Sequence, residues 1–462
     1  MAPTVRSFSA ASDALAFVTR TLAGRRDLLA PAASHPERYV ALLASAVTGT
    51  PQSRFDILFA AGDASLTLSA DGFTRDAQGA IVPGDFLDAL DAACAARRKP
   101  RVDDGLPFHG GWAVYLGYEL VGQIEPSLRL PSTRGAAPVA FALRVPAAVI
   151  VDHVEQRTIL LAEEGAEEWL DVLAADVEDV LSDVPLPAPR SVEEDEPSRF
   201  LDGVHRVHEH LRAGDVFQVN LSRRWTATFA EPPAPAHLMQ SLRRANPAPF
   251  AGLLQQPGWA IVSSSPERLV ESRDGILQTR PIAGTRPRLA GDDDAERIRE
   301  LTTHPKERAE HVMLIDLERN DLGRVCVPGS VKVDELMVVE SYAHVHHIVS
   351  NVRGRARAGV TPGQVIAATF PGGTITGCPK VRCMEIIGAI EQEPRGAYTG
   401  ALGYVDDNGD MDLNILIRTL AVEGAQVSLR AGAGIVVDSV PEKELDETRA
   451  KARGLLRVFG AA

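Results

Sequence analysis

The chain has 462 residues, of which 45% are apolar and 24% are charged, proportions that are typical of a soluble globular protein. Asp and Glu outnumber Lys and Arg by 62 to 48, which leaves a formal net charge of −14. This balance disfavours nucleic acid as a partner, because sequence-independent binding to phosphates needs a basic surface. A local basic pocket in an acidic protein can still bind a small anionic substrate.

The sequence also argues against a membrane-bound or secreted protein. No stretch reaches the roughly 18 consecutive apolar residues of a membrane span, and the first residues lack the apolar core of a secretory signal. The four cysteines, at positions 94, 326, 378 and 383, are few for this length and lack the partners of a zinc site. We therefore expect a cytoplasmic protein with reduced thiols.

The first 185 residues are predicted to form a mixed region of helices and strands. Their apolar patterns predict a helix at 167–181 and strands at 54–60, 113–118 and 147–152. The segment 186–198 is rich in proline and acidic residues, which exclude a helix interior and a buried strand. It is therefore predicted to link residues 1–185 to a second region at 199–462.

Helical and strand patterns alternate in the second region. The helices are predicted at 199–213, where Gly214 ends the pattern, and at 306–322, 379–390 and 441–459. The strands are predicted at 216–221, 398–404, 413–421 and 426–432. The whole chain is thus predicted to be an α+β protein.

Two predicted helices carry glutamate pairs with the same spacing. Glu307 and Glu310 lie on one, Glu444 and Glu447 on the other, and residues three apart share a helix face. Such pairs can hold a hard cation such as magnesium. The same spacing is common on solvated helices of acidic proteins, and Lys451 is placed for an ordinary salt bridge to Glu447. Spacing alone leaves both interpretations open.

Two glycine-rich segments are candidate anion sites. Segment 430–435 places Gly432 and Gly434 after a predicted strand, where backbone amides could approach an anion, although a bulge or tight turn is the alternative. Segment 370–380 combines hydroxyl and turn residues with a following helix, so it could bind an anion or only cap the helix. Neither segment contains a nucleotide-binding fingerprint.

Three histidines lie close together in the sequence, at 344, 346 and 347. Along a strand, His346 and His347 face opposite sides, so a three-histidine metal site is not expected. One of the histidines could contact a substrate, and a structural role is the alternative. A serine-hydrolase elbow of the form GxSxG is absent from the sequence.

Seven long segments of the second region carry a resemblance to a known family. They are AGDVFQVNLS (213–222), SPERLV (265–270), TRPIAGTRPR (279–288), KERAEHVMLIDLERNDLGRV (306–325), ESYAHVHHIVS (340–350), FPGGTITGCPKVRCMEII (370–387) and AGAGIVVDSVPEKELDETRAKA (431–452). These segments resemble the chorismate-using enzymes, which include anthranilate synthase and aminodeoxychorismate synthase large subunits and the isochorismate and salicylate synthases. Segments 38–47, 54–60 and 108–120 resemble the same large subunits more loosely.

The resemblance implies an α+β fold of large antiparallel β-sheets flanked by helices, with a site for chorismate that depends on Mg²⁺. Position by position, it implies that Glu310 and Glu447 are metal ligands and that Glu307 and Glu444 lie behind them. For catalysis it implies Glu267 as the general acid that protonates the departing 4-hydroxyl, a role that needs a raised pKa.

The resemblance also implies the other contacts of the substrate. His347 and Thr374 would lie beside the ring and orient the carboxylate and the leaving group. Arg418 and Tyr398 would bind the enolpyruvyl carboxylate, with arginine acting through its bidentate fork. The remaining substrate-binding positions implied are Gln218, Thr285, Gly432, Gly434 and Lys451.

Gln218 indicates which nucleophile is used. Isochorismate and salicylate synthases carry Lys at this place as the base that activates water, and glutamine cannot take up a proton at neutral pH. The chain therefore resembles the ammonia users. None of its cysteines lies in a GxCxG context, so the resemblance implies a separate glutamine amidotransferase subunit as the source of ammonia.

The product is harder to infer. Several motifs are closer to aminodeoxychorismate synthase, which gives 4-amino-4-deoxychorismate for 4-aminobenzoate and folate synthesis, and this is the preferred assignment. Ala283 favours the alternative, anthranilate synthase component I, because many aminodeoxychorismate synthases carry a nucleophilic Lys there and a methyl group cannot act as a nucleophile. A non-enzymatic tryptophan-sensing or scaffold subunit is a third alternative, disfavoured because the acid and metal residues are present.

A tryptophan pocket is a further prediction. Anthranilate synthases carry an LLES motif in their feedback pocket, and this chain has Leu-Leu-Ala-Ser at 42–45. Ser45 is retained, whereas Ala44 replaces the acidic residue. Tryptophan could therefore bind without inhibiting, or not bind at all.

Overall fold

The computed structural model describes residues 5–7, 17–45, 53–133, 135–287, 294–303, 305–341 and 345–460. Residues 1–185 contribute strands β1 (Val5–Ser7), β2 (Phe17–Ala23), β3 (Tyr39–Ala44), β4 (Phe55–Ala60), β5 (Ser65–Leu68), β6 (Thr74–Asp76), β7 (Gly111–Leu116), β8 (Ala140–Val145), β9 (Ala147–Asp152) and β10 (Arg157–Glu163). Their helices are α1 (Leu29–Ser34), α2 (Phe86–Ala95), α3 (Val121–Ile124) and α4 (Trp169–Asp176). The strands predicted in this region are present, and the predicted helix at 167–181 is shorter.

The remaining strands are β11 (Ser191–Glu194), β12 (Gln218–Thr228), β13 (Phe250–Gln256), β14 (Trp259–Ser265), β15 (Arg268–Arg273), β16 (Ile276–Thr279), β17 (Ile282–Pro287), β18 (Lys332–Ser341), β19 (Val345–Arg355), β20 (Gly377–Cys378), β21 (Ala401–Asp406), β22 (Met411–Ile415), β23 (Thr419–Glu423) and β24 (Gln426–Ile435). The helices are α5 (Pro197–Ala213), α6 (Pro235–Ala245), α7 (Asp294–Thr303), α8 (Pro305–Gly323), α9 (Pro362–Thr369), α10 (Lys380–Glu391) and α11 (Pro441–Leu456). The four helices predicted from the sequence are therefore confirmed within a few residues.

The described strands form two large antiparallel sheets. The 13-stranded first sheet has the order β1-β2-β10-β9-β4-β3-β13-β14-β23-β24-β12-β11, with β20 paired to β12. The 11-stranded second sheet has the order β17-β19-β16-β15-β22-β21-β7-β8-β5-β6, with β18 paired to β19. Both sheets combine strands from residues 1–185 and 199–462, joined at the β3–β13 and β7–β21 pairs. The division of the chain at 186–198 stays a prediction, and this segment contains the edge strand β11.

The two sheets pack face to face, and helices cover their outer faces. The core between the sheets includes Phe59 and Ile261 from the first sheet and Tyr115 and Tyr404 from the second. The outer face of the first sheet packs against α1, α4, α6 and α11, and that of the second against α2, α9 and α10. This layered arrangement confirms the predicted α+β class with large antiparallel sheets flanked by helices. Among the described residues, no helix has the length and apolarity needed to cross a membrane.

The strand predicted at 413–421 is wrong in one respect that matters for the site. β22 ends at Ile415 in the second sheet and β23 begins at Thr419 in the first. The three residues between them cross from one sheet to the other, and Arg418 has a φ of +52°, in the left-handed region that few non-glycine residues adopt. Apolar periodicity could not detect the crossing, because both halves have the pattern of a buried strand. Arg418 therefore lies at the junction of the two sheets.

Candidate active site

The glycines of β24 allow side chains to approach the backbone closely. A Cβ at Gly432 would come within 2.6 Å of both the Asn220 side-chain oxygen and the Tyr398 hydroxyl, and one at Gly434 would overlap the Gln218 amide nitrogen. The pairing of β24 with β12 continues through both glycines, so neither forms a turn or a bulge. These two positions are thus glycine because polar side chains occupy the space where a Cβ would lie.

Helix α8 presents its first glutamate pair, Glu307 and Glu310, to the protein near the start of β12. The side-chain amide of Gln218 donates a hydrogen bond to Glu310 Oε1 at 2.6 Å. Glu307 Oε2 lies 2.6 Å from the position of a Cβ on Gly284, a residue with a φ of +72° at a bulge in β17. Both carboxylates of α8 therefore face the protein and not the solvent.

Helix α11 also packs against the glycine-containing strand β24. Lys451 Nζ lies 2.7 Å from Glu447 Oε1 and donates a hydrogen bond to the Gly432 carbonyl oxygen at 2.9 Å. The Glu447 side chain is 48% exposed, and Glu444 lies one turn earlier on the helix. The Lys451–Glu447 contact is thus an i,i+4 salt bridge, and it is also held against the glycine-rich strand.

Glu267 is a buried carboxyl in the loop between β14 and β15. Its residue is 5% exposed, and its Oε1 atom has no hydrogen-bond partner among the described residues. Burial raises the pKa of Glu267 to about 7, while the hydroxyl of Thr374, the backbone amide of Ile282 and the charge of Lys451 limit the rise. This carboxyl consequently holds a proton in much of the protein near neutral pH.

The segment that carries Thr374 is fixed on β12. The backbone amide of Asn220 donates to the Thr376 carbonyl oxygen at 2.9 Å, and that of Phe217 donates to the Cys378 carbonyl oxygen at 2.8 Å. Thr374 Oγ1 is buried without a formed hydrogen bond in the described part of the chain. Pro379 precedes the first residue of α10, and no side chain caps this end of the helix. The segment therefore packs its polar groups against the strand instead of capping α10.

The histidines of β19 have separate environments, as the strand alternation predicts. His346 lies 2.8 Å from Ser341 Oγ and 3.3 Å from Asp294 Oδ1. His347 is buried on the other face, where burial and the charge of Arg418 lower its pKa to about 4, so it is neutral at neutral pH. His344 lies outside the described residues. Within the described ranges, no three His, Cys, Asp or Glu side chains are gathered as metal ligands.

Arg418 and Tyr398 lie together beside these groups. Burial lowers the pKa of Arg418, and the nearby Tyr398 and Glu447 oppose this shift. Burial also raises the pKa of Tyr398 to about 12, so its hydroxyl stays protonated. That hydroxyl lies 3.4 Å from Asn220 Oδ1. A charged guanidinium and a neutral phenol are donors suited to a substrate carboxylate.

The structure places most of the predicted site residues around β12, β24 and the sheet crossing. Thr285 pairs with His347 through the β17–β19 ladder, and its side chain lies outside the described part. Ser45 lies elsewhere, at the end of β3, where its amide donates to Asp56 at 2.8 Å. Next to it, Leu43 and Ala44 line a separate cavity of about 440 Å³, and tryptophan binding there stays a prediction.

Two groups of buried charges were missed in the sequence. Glu391 accepts hydrogen bonds from Arg395 and Arg430 at 2.7 Å and 3.1 Å. Glu318 and Asp321 lie on α8 beyond the first glutamate pair. The i,i+4 spacing of Glu391 and Arg395 is equally common on surfaces, so it carried no signal. Extending the helical face of Glu307 and Glu310 along α8 would have found the second group.

The residues present fit the magnesium ion that the resemblance implies. The donors on α8 and α11 are carboxylate oxygens, which Mg²⁺ prefers, and this ion retains several waters and needs few protein ligands. Glu310 and Glu447 each contact a side chain that reaches the same stretch of β24: Gln218 lies at Gly434 and Lys451 at Gly432.

Comparison with known proteins supports the resemblance. The family described as chorismate binding enzyme matches residues 46–457. The chain is 42% identical over 385 residues to an anthranilate synthase component I-like protein of Synechocystis sp., covering 81% of this chain and 78% of that protein. It is 40% identical over 365 residues to aminodeoxychorismate synthase component 1 of Bacillus subtilis, covering 76% and 77%.

The fold is shared with a solved structure. Anthranilate synthase component I from Streptococcus pneumoniae matches with a TM-score of 0.79 and 30% identity, covering 88% of this chain and 93% of that one. The matched family, the similar relatives and this structural likeness agree with one another. The chain belongs to the chorismate-binding enzyme family.

Proposed function

We propose that this chain is the large subunit of an aminodeoxychorismate synthase, an enzyme that converts chorismate and ammonia into 4-amino-4-deoxychorismate and water. The observation that carries the proposal is that the site contains a buried acid, Glu267, and has glutamine, which cannot act as a base, at position 218. Glu267 is protonated near neutral pH, and Gln218 stands where a water-using enzyme of this family needs a base. The site can therefore release the hydroxyl but cannot activate water.

Substrate binding rests on the donors around the sheet crossing. Arg418 and Tyr398 bind the enolpyruvyl carboxylate, and the backbone at Gly432 and Gly434 lies against the substrate together with Lys451. Thr285 belongs to the same set by its place opposite His347. These donors neutralise a substrate with two carboxylates inside an otherwise acidic protein.

Glu310 and Glu447 hold the magnesium ion, with Glu307 and Glu444 behind them. When bound, the ion neutralises the ring carboxylate and makes the adjacent ring carbon more electrophilic. Before it binds, Gln218 and Lys451 occupy the two ligand carboxylates. Each contact involves one oxygen of a carboxylate that has two, so neither contact by itself would prevent the ion from being held.

The proton for the leaving group comes from Glu267. Its O–H bond breaks as the 4-hydroxyl of chorismate leaves as water. The Thr374 hydroxyl faces the same carboxyl, and neutral His347 lies beside the ring, so both orient the reacting groups without adding charge. Ammonia replaces the hydroxyl and then loses one proton. We further propose that a separate glutamine amidotransferase subunit supplies this ammonia.

Anthranilate synthesis is the second candidate, and Ala283 favours it. This residue is buried in β17 opposite Ile348, and its methyl group cannot form the covalent ring adduct of the lysine-containing enzymes. Ammonia would then attack ring carbon 2 directly and the products would be anthranilate and pyruvate. Two features support the first candidate instead. Several motifs are closer in sequence to those of aminodeoxychorismate synthases, and Ala44 replaces the acidic residue of the anthranilate synthase LLES motif.

The product of the isolated chain distinguishes the candidates. The purified chain is incubated with chorismate, Mg²⁺ and excess ammonium, and aminodeoxychorismate lyase is added to half of the sample. We expect 4-aminobenzoate only in the half with lyase. Anthranilate in both halves would establish the second candidate, and the absence of any aminated product from folded protein would favour a non-enzymatic tryptophan-sensing or scaffold subunit.

A further inference from the structure

Helix α8 carries a second carboxylate pair that the proposed chemistry does not use. Glu318 and Asp321 are 6% and 3% exposed and follow Glu310 by about two and about three helical turns. At 3.6 residues per turn, Glu307, Glu310, Glu318 and Asp321 fall within an arc of about 80°. One face of α8 therefore presents four carboxyl groups to the protein interior.

Glu318 reaches the surroundings of the proposed general acid. Its Oε1 lies 3.5 Å from the position of a Cβ on Gly373, the residue before Thr374. The carboxyl is close enough to Glu267 for the two charges to repel each other. Burial, the charge of Asp321 and this repulsion raise the pKa of Glu318 well above its usual range, against the opposing charge of Lys380. Glu318 is therefore protonated at neutral pH.

Asp321 connects this interior group with the surface. Lys380 Nζ lies 2.5 Å from Asp321 Oδ2 and also donates to the Thr369 carbonyl oxygen at 3.3 Å. Asp321 and Lys380 line an open groove of about 790 Å³ between α8 and α10. From the groove inward, the structure thus places the Asp321–Lys380 pair first and then Glu318, whose carboxyl lies near Gly373, beside the Thr374 that faces Glu267.

We propose that Glu318 is a proton-relay residue that reloads Glu267 from the groove side of α8 during each turnover. The inference rests on the proposed function, because it requires Glu267 to give up a proton. Glu267 is almost fully buried, so bound substrate leaves it little access to solvent from the substrate side. A relay through the carboxyls of α8 would reach Glu267 from the groove while substrate occupies the site.

The proton balance of the relay is complete. After Glu267 protonates the leaving hydroxyl, the O–H bond of Glu318 breaks and its proton passes to the Glu267 carboxylate. Glu318 then takes a proton from water in the groove through Asp321. One proton thus enters per turnover, and the attacking ammonia releases one as it becomes the neutral amine.

The test compares kcat and KM in the full chain with Mg²⁺ and ammonium held constant. Glu318→Gln keeps the shape and the neutral state of the protonated carboxyl, so the variant should fold. We expect kcat to fall about tenfold or more, KM for chorismate to stay unchanged, and the solvent deuterium isotope effect on kcat to increase. In Glu318→Ala, added acetate at fixed pH should restore kcat, because a small acid can occupy the vacated space, whereas the wild type should not respond.

Asp316→Asn provides the matched control. Asp316 lies on the same helix and borders the same groove, but its side chain is 64% exposed and pairs with Arg319. It should keep the wild-type kcat and isotope effect. Asp321→Asn tests the relay at a second residue. We expect a lower kcat and an unchanged KM for chorismate.

Three outcomes would overturn the relay. Wild-type kcat and isotope effect in Glu318→Gln would do so, and so would a raised KM with unchanged kcat, which indicates a role in binding. A wild-type chain that makes no aminated product refutes the proposed function itself, and the relay with it. The wild-type measurement therefore separates the two failures.

Discussion

Two fully buried carboxyls of this protein have opposite ionisation. Among the described residues no arginine forms an ion pair with Glu267, and burial raises the pKa of this carboxyl to about 7. Glu391 is equally buried, but the charges of Arg395 and Arg430 more than offset its burial, so its pKa falls below its usual range. The comparison teaches that the partners of a buried carboxyl decide its charge. Glu267 can therefore donate a proton near neutral pH, whereas the ionised Glu391 stabilises the fold through its ion pairs.

The largest expected effect is on catalysis. In Glu267→Gln the transferable proton is lost while the shape of the side chain is kept, so kcat should fall by about 100-fold or more. Binding of chorismate, followed by calorimetry, should persist. Glu209→Gln on the exposed face of α5 is the control and should match the wild type. Retained turnover in Glu267→Gln would contradict the acid role.

The next effect is on stability. Glu391→Gln leaves the buried Arg395 without its carboxylate and leaves Arg430 only the longer ion pair with Glu393 at 3.9 Å, which should lower the free energy of unfolding by about 3–5 kcal/mol. Urea denaturation measures this loss. In Glu385→Gln, on the exposed face of the same helix and paired with Arg382, the loss should stay below about 1 kcal/mol. Equal denaturation midpoints for the two variants would contradict the structural role of Glu391.

The two carboxyls should also respond to pH in opposite directions. Glu267 binds its proton more tightly in the folded chain, so its contribution to stability is complete below the ordinary glutamate pKa of about 4.3 and is lost as the pH rises to about 7. The contribution of Glu391 is present above the ordinary value and is lost as the pH falls. Relative to Glu267→Gln, the wild type should lose about 3 kcal/mol between about pH 4.3 and pH 7. A gain over this range would contradict the raised pKa.

The smallest effect concerns Lys451, whose charge limits the rise in the pKa of Glu267. Lys451→Met removes a half-exposed i,i+4 pair and the hydrogen bond to the Gly432 carbonyl oxygen, so the free energy of unfolding should fall by about 1 kcal/mol. Because the charge of Lys451 favours ionised Glu267, the alkaline limb of the pH–kcat profile should move to higher pH. A shift to lower pH would show that Lys451 does not act on this carboxyl.

The comparison also explains what the sequence could predict. The helix at 441–459 was predictable because its apolar periodicity and the proline at its start mark it, whereas the helix at 306–322 is marked by the proline and glycine at its ends and not by periodicity. The roles predicted for Glu267, Gly432 and Gly434 came from the resemblance of long motifs and not from apolar periodicity. Glu391 was unpredictable because its partner Arg430 is distant in the sequence. The crossing at Arg418 was missed because local patterns do not report which sheet a strand joins.

The crossing at residues 416–418 gives Arg418 a mechanical role as well as a chemical one. This short connection ties β22 of one layer to β23 of the other, and it carries the guanidinium that we propose binds the substrate carboxylate. A ligand held by Arg418 on the crossing and by Lys451 on α11, which packs against the first sheet, would therefore resist the separation of the two layers. Bound substrate would thus link the two sheets, and the free energy of unfolding should be higher with substrate bound than without it.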